Sequence, residues 1–176
     1  RSDPESPKRD WYIWEKKKPE KWNEGMVFPG VQKQTWTYDK KARAWYHHRF
    51  YNFQPDLNID NPEVRDEIQK IMGFWIKLGV AGFRVDAVPF ILEGVPHRAN
   101  GELRFEYLRG MRRLAQWRRG DSILLGEANV EPEESQRYFG AEGEGINMMF
   151  NFFVNQYLFY ALASANVTKL VEALER

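Results

Sequence analysis

The chain of 176 residues has no cysteine and only three histidines, and its 26 basic and 25 acidic side chains leave a formal net charge of +1. Without cysteine no disulfide can form, and the redox compartment stays open. Acids and bases are interspersed, so no field favours nucleic acid; Lys16-Lys-Lys18 and Arg112-Arg113 read as solvated faces. No apolar run is long enough to cross a bilayer and no signal sequence is visible. The expectation is a cytoplasmic protein that engages neither nucleic acid nor membrane; its oligomeric state is left open. No spacing of histidine and carboxylate suggests a catalytic zinc. The glycines of Gly140-Ala-Glu-Gly-Glu-Gly145 fit no phosphate cradle and their acidic neighbours would repel phosphate, so this stretch reads as a turn.

What is present is a pair of short apolar runs, each ending in a carboxylate. Val80-Ala-Gly-Phe-Arg-Val-Asp-Ala-Val88 is entered through Gly79 and left through Pro89, and reads as a buried strand. Side chains alternate along a strand, so Arg84 and Asp86 share one face while Phe83 and Val85 share the other. Ser122-Ile-Leu-Leu-Gly-Glu-Ala128 repeats the pattern, with Ile123, Leu125 and Glu127 on one face and Leu124 and Gly126 on the other. Apolar helical patterns flank the first strand, which argues for a parallel βα repeat covered by helices. The place left for Arg84 and Asp86 is the inside of a barrel, near the carboxyl ends of its strands.

Two carboxylates converging there suit glycoside hydrolysis with retention, which uses a nucleophile and an acid/base roughly 5 Å apart. Arg84 would keep Asp86 ionised, as a nucleophile needs. Glu127 has no cation beside it in sequence and follows an apolar strand, so it is expected to serve as the general acid. The other reading of the same residues is a structural ion pair of Arg84 and Asp86, with Glu127 as an acid at the start of the following helix.

Gly82-Phe-Arg-Val-Asp-Ala-Val88 and Leu125-Gly-Glu-Ala-Asn129 resemble the two central motifs of the α-amylase superfamily of retaining glycoside hydrolases. In that superfamily the aspartate is the nucleophile and the glutamate the acid/base. Gln54-Pro-Asp-Leu-Asn58 resembles the motif of its α-glucosidase-like branch. Together with His48-Arg-Phe-Tyr51 and Asp86-Ala-Val-Pro89, it is most similar to the trehalose synthases, which interconvert maltose and trehalose. The resemblance implies Asp86, Glu127 and Arg84 as catalytic residues, and His48, Phe50, Gln54 and Asn129 as substrate contacts. It also implies Asp56 as a ligand of structural calcium through hard oxygen atoms, with no cofactor required for the chemistry. The partner would be a small α-glucoside such as maltose or trehalose.

The superfamily's earlier motif, with an aspartate, an asparagine and a histidine, is not among these residues. Nor is the later one, with a histidine and a third catalytic aspartate. A complete (β/α)8 barrel takes about 250 residues, so the expectation is an α/β piece of a longer protein: the central part of such a barrel. Residues 1–55 would be a loop-rich, domain B-like insertion after the third strand, and residues 56–176 a partial catalytic barrel. On its own this segment is expected to be inactive.

The insertion carries Pro4, Pro7, Pro19 and Pro29, and a hairpin is expected from Gln34-Thr-Trp-Thr-Tyr38 and Ala44-Trp-Tyr46 around Asp39-Lys-Lys41. Trp11, Trp14, Trp22, Trp36 and Trp45 are candidates for stacking on pyranose rings or for the insertion's own core. His47 and His48 are adjacent and cannot face the same way on a strand, so at most one reaches the sugar and hairpin packing is the other reading. His97 is a possible substrate contact. Asn61 and Pro62 are suited to open a helix, whose apolar positions Val64, Ile68, Ile71, Met72 and Trp75 precede Gly79. Further helices are expected over Leu103 to Trp117 and from Glu131-Pro-Glu-Glu-Ser135, and a further strand over Ile146 to Phe153.

The chemistry implied is a double displacement, with isomerisation if the acceptor is the glucose just released and hydrolysis if it is water. An α-glucosidase or α-amylase is the alternative activity. A barrel kept only as a non-catalytic scaffold is the remote one.

Overall fold

The computed structural model describes residues 3–95 and 103–176. It divides into two compact units, Arg1–Ile68 with Gly94–Gly101, and Gln69–Glu93 with Glu102–Arg176.

The first unit begins with a 3-10 turn, Arg9–Trp11, and contains β1 (Trp14–Glu15), β2 (Trp36–Asp39) and β3 (Ala44–His47). All are antiparallel, in the order β1-β3-β2. The expected hairpin is β2–β3, with Trp36 opposite His47 and Asp39 opposite Ala44. Its turn is closed by Asp39, whose Oδ1 accepts the Ala42 N–H at 2.9 Å, the local bond that makes aspartate a turn residue. Trp36, at 1% exposure, packs with Ile13 and Val95, and Trp22 and Trp45 lie against this cluster.

Trp14 and Trp11, in the same unit, have polar partners. Trp14 lies edge-on to Tyr46 and under the Arg9 guanidinium, 3.6 Å from the ring centroid. Trp11 donates from Nε1 to Glu63 at 2.9 Å.

Helix α1 (Pro62–Lys77) leads from the first unit into the second. Asn61 caps it as expected, its Oδ1 accepting the Glu63 N–H at 2.9 Å. After α1, Gly79 adopts φ +98°, a left-handed turn that glycine takes without steric cost.

The second unit carries β4 (Gly82–Val85), α2 (Val88–Glu93), α3 (Glu106–Arg118), β5 (Ile123–Gly126), α4 (Pro132–Phe139), β6 (Met148–Met149), α5 (Phe152–Ser164) and α6 (Thr168–Glu175). Its strands are parallel in the order β4-β5-β6, with Gly82 opposite Ile123 and Leu125 opposite Met148. The class is α/β, as expected. The described strands form an open three-stranded sheet, not a closed barrel.

One face of that sheet is dry: Val85 is 5% exposed and Leu124 0%, and Leu108, Tyr138 and Ile146 of the same unit are buried as well. The opposite face of β5 is open, Ile123 being 44% exposed. It is the face on which alternation puts Glu127.

Three expectations are corrected. The run from Ile146 to Phe153 is strand only at Met148–Met149, because Asn151 accepts the Val154 N–H at 3.0 Å and opens α5; a short apolar run does not by itself separate strand from helix. The run from Val80 to Val88 is strand only at Gly82–Val85, and its last residue, Val88, opens the short helix α2. Arg112 is not a solvated charge: its Nε and Nη1 are buried without a hydrogen-bond partner, whereas its neighbour Arg113 is exposed.

Candidate active site

The parallel pairing of β4 with β5 sets Val85 beside Gly126, and the Glu127 N–H then donates to the Val85 carbonyl at 2.9 Å. Asp86 and Glu127 therefore leave the ends of adjacent strands side by side. Beside them Gly126 permits a close approach. A Cβ on Gly126 would sit 2.5 Å from Ile146 Cδ1.

Arg84 joins the two carboxyl groups. Its Nη1 is 2.8 Å from Asp86 Oδ1 and its Nη2 is 2.8 Å from Glu127 Oε2. Each arm of the planar guanidinium takes a different acid. Glu127 has no cation beside it in sequence, yet in space Arg84, two residues before Asp86, reaches it as closely as it reaches Asp86.

A side-chain hydrogen bond with Glu127 is the largest cause holding Asp86 below its ordinary value of 3.8, and Arg84 adds to it while burial opposes. That direction keeps Asp86 ionised.

Asn129, just beyond β5, is exposed. The remaining candidates belong to the first unit. His47 and His48 are 3% and 1% exposed. His48 Nδ1 faces the Phe50 carbonyl at 3.1 Å, so it donates there, and Nε2 accepts from the Thr37 hydroxyl at 2.9 Å in the neutral ring. The sugar contact expected of His48 thus meets a ring that holds the hairpin to the following loop. His47 Nδ1 lies 2.8 Å from Asp56 Oδ2, off the line of a hydrogen bond.

Phe50 is half-buried and tilted against Phe28, with ring centroids 6.0 Å apart. Gln54 is exposed, and its backbone N–H donates to the Tyr51 carbonyl at 2.8 Å. His97 lies outside the described residues.

Asp56, implied as a calcium ligand, accepts the Arg49 N–H with both oxygens, at 3.0 and 3.1 Å. Among the described residues no group of three histidine, aspartate or glutamate side chains could hold a metal ion.

Two residues that the sequence reading passed over matter here. Gln32 is 8% exposed, and its Nε2 donates to the Arg49 and Phe50 carbonyls at 2.9 and 2.8 Å, fixing the loop that precedes Gln54. No motif signals it. Ala87 donates its N–H to Glu127 Oε2 at 3.2 Å, and the only trace in sequence is its place directly after Asp86.

Known proteins share this arrangement of chain. A trehalose synthase of Thermus thermophilus is 43% identical over 162 residues, covering 90% of this chain and 17% of that protein. A trehalose synthase of Pimelobacter sp. (strain R48) is 35% identical over 187 residues, covering 100% of this chain and 32% of that protein. The crystal structure of trehalose-6-phosphate hydrolase from Bacillus licheniformis superposes with a TM-score of 0.72 at 27% identity, covering 89% of this chain and 30% of that one. The chain spans no more than about a third of the length of these relatives. The family model of the alpha amylase catalytic domain matches residues 1–174, the whole stretch that carries Arg84, Asp86 and Glu127, and on that match the chain belongs to the alpha-amylase family.

Proposed function

We propose that the protein containing this chain interconverts maltose and trehalose by a retaining double displacement. The observation that carries the reading is the pair of carboxyl groups on adjacent parallel strands, bridged by one guanidinium at 2.8 Å on each side. The similarity to trehalose synthases supports the choice of substrate. In this proposal residues 56–176 supply part of a (β/α)8 barrel, residues 1–55 a domain B-like insertion, and the enzyme works in the cytoplasm on a small α-glucoside.

Asp86, kept ionised, attacks the anomeric carbon while Glu127 gives its proton to the glycosidic oxygen; the C–O bond breaks with its electron pair on the leaving sugar. Glu127 then takes the proton of the acceptor hydroxyl as that oxygen displaces Asp86, so configuration is retained. Phe50, Gln54 and Asn129 are the proposed substrate contacts, and His48 acts through the loop it holds. An acceptor glucose kept from water gives the isomer; water gives hydrolysis, the α-glucosidase or α-amylase alternative.

The test is anomer-resolved NMR of the full-length enzyme on pure maltose, with Asp86→Asn as control. Trehalose as the main product, lost in the variant by about 10⁴-fold or more, is the expected result. Free glucose as the main product would move the protein to the glucosidases. Unchanged turnover by Asp86→Asn would remove Asp86 as nucleophile.

A further inference from the structure

The ladder between β4 and β5 contains one residue too many. Gly82 through Val85 pair in regular register with Ile123 through Gly126, and Glu127 donates its N–H to Val85 at 2.9 Å. In a regular parallel ladder the next bond would run from the Ala87 N–H to the Glu127 carbonyl. Instead Val88 makes that bond, at 2.9 Å.

Ala87 is thus an extra, bulge-like residue where β4 passes into α2, and it adopts φ +45°, a left-handed conformation that an alanine takes only under constraint. Freed from the ladder, its N–H turns to the Glu127 side chain and meets Oε2 at 3.2 Å. Arg84 Nη2 meets the same oxygen at 2.8 Å.

We propose that Ala87 is a positioning residue for the general acid: its bulged N–H, with Arg84, fixes Glu127 through Oε2 and thereby assigns proton delivery to Oε1. The inference rests on the glucoside-processing role proposed above. In the first displacement the Oε1–H proton passes to the glycosidic oxygen as the bond to the anomeric carbon breaks. In the second, Oε1 receives the proton of the acceptor hydroxyl. Bulges re-aim groups beside active sites in this way.

The test separates acid assistance from everything else by the leaving group. Maltose needs its departing oxygen protonated, whereas α-D-glucosyl fluoride departs as fluoride without it. Full-length enzyme carrying Ala87→Val, whose β-branched side chain resists the left-handed region, is assayed on both for kcat/KM, which reports the first displacement. A second variant replaces residue 87 by lactic acid through an α-hydroxy acid at a suppressed codon, removing only the N–H.

The expected result is a loss of about tenfold or more in kcat/KM on maltose, while kcat/KM on the fluoride is largely kept. Ala87→Gly, which retains the N–H and enters the left-handed region freely, is expected to recover the maltose rate relative to Ala87→Val. Equal losses on both substrates in the lactic acid variant, or none on either, would overturn the assignment alone. A full-length enzyme that turned over neither substrate would overturn the glucoside reading and this inference with it.

Discussion

Arg84 sits where a single side chain determines the state of two others. Its side chain is 47% exposed and its partners are an exposed aspartate and a half-buried glutamate, so its value lies in geometry more than in pair energy. A lysine can place one ammonium near one acid, not a planar fork between two. Arg84→Lys is therefore expected to lower kcat/KM on maltose by about tenfold or more, read from initial rates on the full-length enzyme; retention of the wild-type value would deny the bridge a role.

Asp86 has its own consequence at this scale. Held below the ordinary 3.8, first by the hydrogen bond with Glu127 and then by Arg84, it stays ionised until the pH falls through that lowered value. The stability it contributes is likewise present above its unfolded value and lost only below. The acid limb of kcat/KM, which reports the free enzyme, should lie below pH 3.8 if the protein remains folded. Arg84→Met should move it upward. A wild-type limb at or above the ordinary aspartate value would contradict this.

Among the elements, β5 is the one whose sequence leaves least freedom. Gly126 lets Ile146 pack against the strand, with Cδ1 2.5 Å and Val88 Cγ2 3.5 Å from where a Cβ would stand. Ile146 and Val88 are 1% and 0% exposed, so neither can yield outward. Gly126→Ala is expected to destabilise the full-length protein by about 1–3 kcal/mol by overpacking. Ile146→Val, which deletes the offending methyl, should make the double variant less unstable than the two losses added; strict additivity in urea titrations would refute the contact.

The helices and the hairpin follow from near-neighbour chemistry. Asn61 caps α1 two residues on, and Asp39 closes the hairpin turn three residues on. The start of α4 was legible for the same reason, with Pro132 at its first position and Glu133 and Glu134 at its positive end. The end of β6 was not, because whether Phe152 continues a strand or begins a helix turned on which backbone N–H the Asn151 side chain accepts.

For the molecule as a whole, the exposed apolar surface is informative. Phe159, Leu162 and Leu174 on α5 and α6 are 65%, 73% and 65% exposed. β4 and β6 each form an edge of the described parallel sheet. Open edges and apolar helix faces invite pairing with other chains. Expressed alone, these 176 residues are expected to elute from size exclusion as higher oligomers and to leave maltose untouched. A monomeric segment, or one that turned over an α-glucoside, would count against the proposal that the rest of a longer chain completes this sheet.

By itself the sequence determined the α/β class, the two strands that end in Asp86 and Glu127, the hairpin, and the opening of α1 and α4. These rest on alternation, caps and turns, which act over a few residues. Tertiary structure decided what Arg84 does, because its second partner, Glu127, lies on another strand. It also decided that His48 is packed inside its unit, and that Ala87 leaves the ladder to donate to a side chain 40 residues away. No local pattern encodes those outcomes: each is set by the register in which distant segments meet, and the register is fixed only when their apolar faces are buried together.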